Sequence, residues 1–173
     1  GMNYLAAMCL AGLGFEEELA FWLFMELLDG VLGLRFFARW PPLQSFHALT
    51  ADATELAARA CPALVDALGA EFGDVVTMLC CTIFIPCFVG SIPAEPLVTL
   101  WTELLSGGEE GAGFRRRPLL IWFLGLLRHI EPELLRELQR QEKIGHPKVR
   151  QQTMGAFFIT LAFLFMPFVS INW

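Results

Sequence analysis

The stretch GMNYLAAMCLAGLGFEEELAFWLFMELLDG, residues 1–30, decides the fold class of this chain. Apolar residues recur in it at helical spacing, at Leu19, Trp22, Leu23 and Leu27. A first helix is predicted over Asn3–Leu13 and is ended by Gly12 and Gly14. Glu16–Glu18 stand in the first turn of a second helix, where the helix dipole favours anions, and Gly30 is its expected stop. The stretch therefore predicts two helices joined by a short turn.

Helical patterns continue along the chain, with prolines and glycines at their boundaries. We predict a connection over residues 31–42 and a loop at SGGEEGAGFRRR, residues 106–117. The further helices are expected at 43–60, 62–69, 74–86 and 91–108, with two more opened by Pro118 and Pro132, and a last segment at 151–173. The β-branched residues after Asp74 would suit a strand, but no second strand pattern exists to pair with them. The fold class is thus all-α, an irregular array of about eight or nine short helices.

Composition limits what the chain can do. It has 173 residues, enough for one domain with a full core, and 55% of them are hydrophobic. A mean hydropathy of +0.55 indicates a domain that is nearly all core, part of a larger assembly, or partly in a membrane. The net charge of −6 argues against a nucleic-acid surface, which needs clustered lysines and arginines. The one basic run, Arg115–Arg117, is interpreted as part of a solvated loop.

No residue pattern predicts catalysis, a metal site or a cofactor site. The five cysteines include no CxxC pair and are interpreted as reduced core residues: Cys9, Cys61, Cys80, Cys81 and Cys87. His47, His129 and His146 are too far apart in sequence for paired metal ligands on one helix. The glycines Gly12 and Gly14, and the pair Gly107–Gly108, do not follow a β-strand as the glycine-rich loop of a phosphate-binding unit does. We therefore expect no metal, no cofactor and no catalytic residue in this chain.

Two uncharged stretches have the length of a membrane span, which takes about 20 residues. Val75–Ala94 is interrupted by Pro86, Gly90 and Pro93, so a buried core helix followed by a turn is favoured there. Gln151–Trp173 is Phe-rich and has Lys148 and Arg150 just before it, as a cytosolic flank would. The second stretch is compatible both with a membrane anchor and with a last core helix.

Several of these pieces resemble the TBC domain, the GTPase-activating domain that acts on Rab-type small GTPases. In that family a segment YxQGMNYLAA precedes an acidic turn and an E-x-x-A-F-W helix. Here Gly1–Ala7 reads GMNYLAA and is followed by Glu16–Trp22, which reads EEELAFW. Further on, the distance from Pro93 to Trp101 matches that of the family. The resemblance covers roughly residues 1–140.

The chain departs from the family pattern in its second half. Ile83 stands where the family usually has tryptophan, Thr102 stands where it has aspartate, and Pro86 falls in a helix that is normally uninterrupted. The resemblance implies that the chain begins just after the glutamine of YxQ. The arginine of IxxDxxR and that glutamine, which are the family's two catalytic fingers, would then lie upstream of Gly1. Arg35, Arg39, Arg59 and Arg115–Arg117 all lack the IxxDxxR context.

The resemblance implies a GTPase-activating-protein-like regulator that binds a GTP-bound Rab-type GTPase in membrane traffic without activating it. Gly1, Met2, Asn3 and Tyr4 are the residues expected to support the GTPase-binding motif. We expect Phe21, Trp22 and Trp101 in the core, and an exposed packing face where the upstream helices of the family would dock.

Residues 1–145 would form the C-terminal part of this domain, and 146–173 an apolar segment that is its last core helix or a membrane anchor. The expected location is the cytoplasm, with membrane association on endomembranes as an extension. The alternatives are a small helical membrane protein using 75–94 and 151–173 as spans, and a catalytically dead TBC-like adaptor.

Overall fold

The structure, a computed structural model, describes residues 2–33, 36, 43–106 and 111–144, and the side chains of these except 111–115 and 141–144. The described residues form seven α-helices with one π-helical segment and one 3-10 turn. In chain order these are α1 (Met2–Gly12), α2 (Glu17–Met25), the π segment (Glu26–Val31), α3 (Gln44–Ala60), α4 (Pro62–Leu68), the 3-10 turn (Gly69–Glu71), α5 (Phe72–Phe84), α6 (Ala94–Ser106) and α7 (Gly111–Ile144).

The predicted all-α class is confirmed, since the described residues contain no β-strand and only one isolated bridge, between Val89 and Ile92. The predicted segment 151–173 and most of the connection 31–42 lie outside the described residues.

The core is organised by α7, which contacts α3, α4, α6 and the π segment. One stripe of this helix is buried, with its members spaced three or four residues apart: Leu119, Phe123, Leu127, Ile130 and Leu134. Residues at this spacing share one face of an α-helix. A single helical face therefore joins the N-terminal elements to the C-terminal ones in one continuous core.

The predicted boundaries at 106–118 and at Pro132 are wrong. Residues 111–117, predicted as a loop, form the first turns of α7, and both Pro118 and Pro132 lie inside this one helix. Each proline lacks an N–H and leaves one carbonyl of the preceding turn without its helical donor. Pro132 is tolerated because Ile130 and Leu134 on either side of it are buried in the core, and the buried stripe begins directly after Pro118, at Leu119.

The end of α2 also differs from the prediction. Gly30 does not stop the helix, which continues as the π segment to Val31 and is followed by Gly33 in the left-handed region, with φ of 87°. The amide of Leu32 donates to the carbonyl of Leu27 over 3.1 Å, a spacing of five residues. The wider π turn brings both leucines, each almost fully buried, to the core side of the chain.

Two tight turns end helices in the same way. After α1, the amide of Phe15 donates to the carbonyl of Leu10, and the amide of Gly14 donates to that of Ala11. After α5, the amide of Phe88 donates to the carbonyl of Ile83, and the amide of Cys87 donates to the carbonyl of Phe84. This pair of hydrogen bonds is the Schellman motif, which needs a left-handed residue after the helix. Gly14 takes that position in the first turn with φ of 65°, and Cys87 takes it in the second with φ of 47°.

The second turn is held by aromatic side chains although Cys87 and Phe88 are both left-handed. The indole nitrogen of Trp101 donates to the carbonyl of Cys87 over 3.1 Å, in the protein interior. The ring of Phe84 packs on Phe88 and on Phe123 of α7, with ring centres 6.0 and 5.3 Å apart. These contacts offset the backbone strain, which for residues other than glycine is about 1–3 kcal/mol each. The prediction that Trp101 lies in the core is confirmed.

One stretch of the described chain, Pro62–Phe84, is long and apolar enough to cross a membrane, with a mean hydropathy of 1.5. It consists of α4, the 3-10 turn and α5, and Gly69 interrupts it with φ of 55°. Its helices contact α3, and α4 also contacts α7. The stretch Val75–Ala94, weighed as a span from its sequence, is helical only to Phe84 and then turns, as the alternative of a core helix requires.

Replacing Gly14 by alanine is expected to destabilise the fold by about 1–2 kcal/mol, because an L-residue is strained in the left-handed region. No atom lies within 4 Å of the position of the new Cβ, so the cost is conformational and not steric. Gly12→Ala is the matched control: it also has open space, but it is helical, and it should be neutral or slightly stabilising. Urea unfolding followed by circular dichroism measures both. Equal effects of the two substitutions would contradict the assignment of the turn.

Trp101→Phe is expected to lower the free energy of unfolding by about 1–3 kcal/mol, because it leaves the buried Cys87 carbonyl without a donor. The control is Trp122→Phe, which removes an exposed indole hydrogen bond to the Glu103 carboxylate. Water can replace that donor, so the control should lose less than about 1 kcal/mol. Urea unfolding of the two variants tests this difference, and a control loss as large as that of Trp101→Phe would refute it.

Candidate functional site

The residues that the sequence singles out for binding lie at the start of α1. Met2, Asn3 and Tyr4 form its first turn and are all exposed, Tyr4 to 70%. Gly1 lies outside the described residues. The backbone therefore presents Asn3 and Tyr4 to solvent, where a partner protein can reach them.

This turn belongs to a helical hairpin, α1 and α2, which pack against each other. Only a few of its side chains are fully buried: Leu5 and Cys9 of α1, and Ala20 of α2. The π segment that continues α2 contacts α6 and α7 and so ties the hairpin to the rest of the core. Since the inner face is fixed in this way, the outer side chains are held in defined positions.

The prediction that Phe21 and Trp22 lie in the core is wrong. Trp22 is 62% exposed, and Phe21 stands beside it with its ring centre 5.4 Å away, edge to face. Three further large side chains of the hairpin are also exposed, Tyr4, Phe15 and Leu19, and we call these five exposed side chains together the hairpin face. Helical spacing fits a core face and a docking face equally well, so the sequence pattern could not separate the two.

Both helices of the hairpin carry apolar side chains on faces that do not pack against the core. Residues 1–15 include no charged side chain, and the outward positions of α1 hold alanines beside Tyr4. A helix that is hydrophobic all round is normally buried on all sides. Exposed apolar clusters of this kind mark interaction sites. The hairpin face is therefore the surface of the described chain best suited to bind another protein segment.

The charges of the hairpin are all of one sign. Residues 1–33 contain no lysine or arginine, and their five acidic residues are Glu16, Glu17, Glu18, Glu26 and Asp29. As predicted, Glu17 and Glu18 stand in the first turn of α2, where the helix dipole stabilises them. An apolar face bordered by carboxylates favours partners that combine apolar and basic side chains.

All five cysteines are free, and four of them are buried; Cys81 is half-buried. Burial raises the pKa of Cys9, on the inner side of the hairpin, to about 11. Burial also raises the pKa of Cys87 to about 12, with the neighbouring Cys9 as a second cause. The pKa of Cys80 is likewise raised to about 12 by burial. Thiols held neutral in this way are poor nucleophiles and serve as core residues, as the sequence predicts.

The remaining polar candidates do not form a site. Within the part of the chain that the structure describes, no group of three or more histidine, cysteine or acidic side chains could hold a metal ion. His47 and His129 are exposed on α3 and α7, and His146 lies outside the described residues. Arg59 pairs with Glu55 on the surface of α3. Arg116 and Arg117, predicted in a loop, belong to α7, and the Arg116 guanidinium lies next to Gly33.

The all-α fold, with an exposed N-terminal hairpin and a core closed by one long helix, defines a helical domain suited to protein recognition. The chain matches the family model of the Rab-GTPase-TBC domain over residues 1–135. It therefore belongs to the TBC family, whose members are activators of Rab-type GTPases. No curated protein and no solved structure matches the chain.

The raised thiol pKa values predict a loss of stability at high pH. The ordinary pKa is 9.0, so above that pH the unfolded chain releases thiol protons that the folded chain retains. The stabilisation is complete below pH 9 and is lost as pH rises through the folded values of about 11 and 12. Each thiol contributes at most about 1.4 kcal/mol per pH unit.

The free energy of unfolding of the wild type falls as the pH rises from 10 to 12. Cys80→Ala is expected to make this slope less steep by about 1 kcal/mol per pH unit. The slope, obtained from urea unfolding at several pH values, is independent of any cavity that the substitution leaves. Cys81→Ala, on the same helix but half-buried, should change the slope less. Parallel curves for the wild type and Cys80→Ala would contradict this explanation.

Proposed function

We propose that this chain binds GTP-bound Rab-type small GTPases through the first turn of α1 and does not accelerate their GTP hydrolysis by itself. The observation that carries the proposal is the family match over residues 1–135, in which the motif residues Met2, Asn3 and Tyr4 fall on an exposed helical turn. Tyrosine is enriched among the residues that contribute most to protein interfaces. Tyr4 is accordingly the proposed anchor, and Asn3 the proposed hydrogen-bonding neighbour.

The expected lack of activation rests on the arginines of the chain. An arginine finger accelerates GTP hydrolysis by about 10³–10⁵ because it stabilises charge on the transferred phosphoryl group. No arginine of the chain stands in an IxxDxxR sequence, and the hairpin that carries Tyr4 has no arginine at all. Arg59, Arg136 and Arg140 are engaged with glutamates of their own helices. This supports binding without a catalytic contribution from the chain.

We place the site of action at the cytoplasmic face of endomembranes, because the lipidated GTPases that TBC domains act on reside there. A function as a membrane-spanning protein is less well supported, since the apolar stretch Pro62–Phe84 is broken at Gly69 and packs on α3 and α7. An adaptor role without catalysis agrees with the same observations and differs only in the consequence of binding.

Two measurements test this proposal on a panel of purified Rab GTPases. In single-turnover assays, the chain in excess should leave the rate of GTP hydrolysis within about twofold of the intrinsic rate. A domain that supplies an arginine finger would accelerate hydrolysis by about 10³–10⁵-fold. In titrations, GTP-analogue-loaded GTPase should bind more tightly than the GDP-loaded form. Tyr4→Ala should weaken binding by about tenfold, or about 1.4 kcal/mol.

Val98→Ala is the matched control, because Val98 is also exposed and apolar but lies on α6. It should bind as tightly as the wild type. Equal loss in the two variants, or no binding to any GTPase of the panel, would refute the assigned surface. Acceleration by the chain alone would refute the absence of a catalytic residue.

A further inference from the structure

We propose that Arg116 is a positioning residue of the hairpin: its guanidinium caps the C-terminal end of the π segment and so holds the hairpin in the orientation that presents Tyr4. The cap is a property of this chain alone, whereas its consequence for Tyr4 rests on the proposed function. The sequence assigns Arg116 no such role, because it predicts the run Arg115–Arg117 as part of a solvated loop.

Arg116 extends the buried stripe of α7 towards the start of the helix. It stands one turn before Leu119 and two turns before Phe123, so it shares their face of the helix. Arg116 is half-buried there, whereas the next residue, Arg117, is exposed. Arginine is seldom buried unless its charge is compensated. A core-facing guanidinium therefore requires acceptors close to it.

The end of the π segment supplies such acceptors. The Nη2 atom of Arg116 lies 3.9 Å from the point that a Cβ on Gly33 would occupy. Gly33 follows the π segment in the left-handed region, with φ of 87°, and its lack of a side chain leaves room for the guanidinium beside the backbone. The last carbonyls of a helix lack helical donors and carry a partial negative charge. A guanidinium with five N–H donors is suited to this position.

The charges of the N-terminal elements favour the same contact. Residues 1–33 include five acidic side chains and no lysine or arginine, and two of the acids, Glu26 and Asp29, belong to the π segment itself. Arg116 brings a positive charge from α7 to the base of this acidic hairpin. Because Arg116 is half-buried, its attraction to negative charge is stronger than it would be in water.

A cap on the π segment acts on the hairpin because the segment links the hairpin to the core. α1 packs on α2, α2 continues into the π segment, and the π segment contacts α6 and α7. Leu27 and Leu32, joined by the hydrogen bond of the wide turn, are buried anchors of this link. Releasing its end would let the hairpin change its orientation relative to the core, and the first turn of α1 would move with it.

Hydrogen–deuterium exchange followed by mass spectrometry tests the cap without any GTPase. Arg116→Met keeps an aliphatic side chain and removes the charge, Arg116→Lys keeps a charge, and Arg117→Met is the matched control at the exposed neighbour. The amides of residues 17–33 should exchange about three- to tenfold faster in Arg116→Met, the effect expected of one cation at the end of a helix. Arg116→Lys should restore most of the protection, and Arg117→Met should match the wild type.

Unchanged exchange in Arg116→Met, or acceleration that is equally large in α3 and α5, would overturn the proposal. A loss of protection in Arg116→Lys as large as in Arg116→Met would overturn it as well. The unmodified protein gives a second measurement, which does not depend on how the variants fold. In NMR spectra of protein with isotope-labelled arginine, the guanidinium protons of Arg116 should exchange with water more slowly than those of Arg117. Equal rates would contradict the cap.

The consequence for Tyr4 is tested by binding of a GTPase loaded with a GTP analogue. Arg116→Met should weaken binding about three- to tenfold in the wild-type chain but less than about twofold in a Tyr4→Ala chain, because both substitutions act on one contact. Equal factors in the two backgrounds would refute the positioning role. A chain that binds no GTPase would refute the proposed function and this consequence with it, whereas the exchange measurement decides on the cap by itself.

Discussion

The fold depends on one helical stripe. Leu119, Phe123, Leu127, Ile130 and Leu134 of α7 are the surface on which α3, α4, α6 and the π segment meet. This helix makes its largest number of contacts with α3 and α6, and the hairpin joins the core through the π segment that lies against it. The stripe outweighs the local preference of the chain, because both prolines of α7 lie within the helix and do not end it. Packing of an amphipathic face supplies most of the stability of such a helix.

Much of the fold could be predicted from the sequence, and the exceptions share a cause. Pro62 begins a helix and Gly14 allows a left-handed turn because these residues act on their own backbone, which sequence patterns report directly. Pro132 is predicted to begin a helix on the same reasoning, yet it lies inside α7, where Ile130 and Leu134 on either side of it are buried against residues far away in sequence. The left-handed Cys87 has no local signal at all. It is held by Trp101, fourteen residues further on.

The candidate site could also be predicted from the sequence only in part. The sequence GMNYLAA at Gly1–Ala7 indicates the TBC family, and the match to the family model over residues 1–135 agrees with that prediction. The exposure of Phe21 and Trp22 could not be predicted, because a surface made for a partner has the same composition as a core. Only the positions of the other helices show which apolar faces the core uses. The hairpin face is informative because Leu5, Cys9 and Ala20 already fill its inner side.

The order of the elements along the chain has a consequence for synthesis on the ribosome. The hairpin and the π segment emerge before α6 and α7, the helices that contact the π segment. Gly111, where α7 begins, lies 80 residues after Val31, which is about 4–16 s of translation at about 5–20 residues per second. Throughout that interval the nascent chain carries an apolar hairpin exposed on both sides. Binding by a chaperone that holds unfolded apolar segments is therefore expected to be a normal step in the biogenesis of this protein.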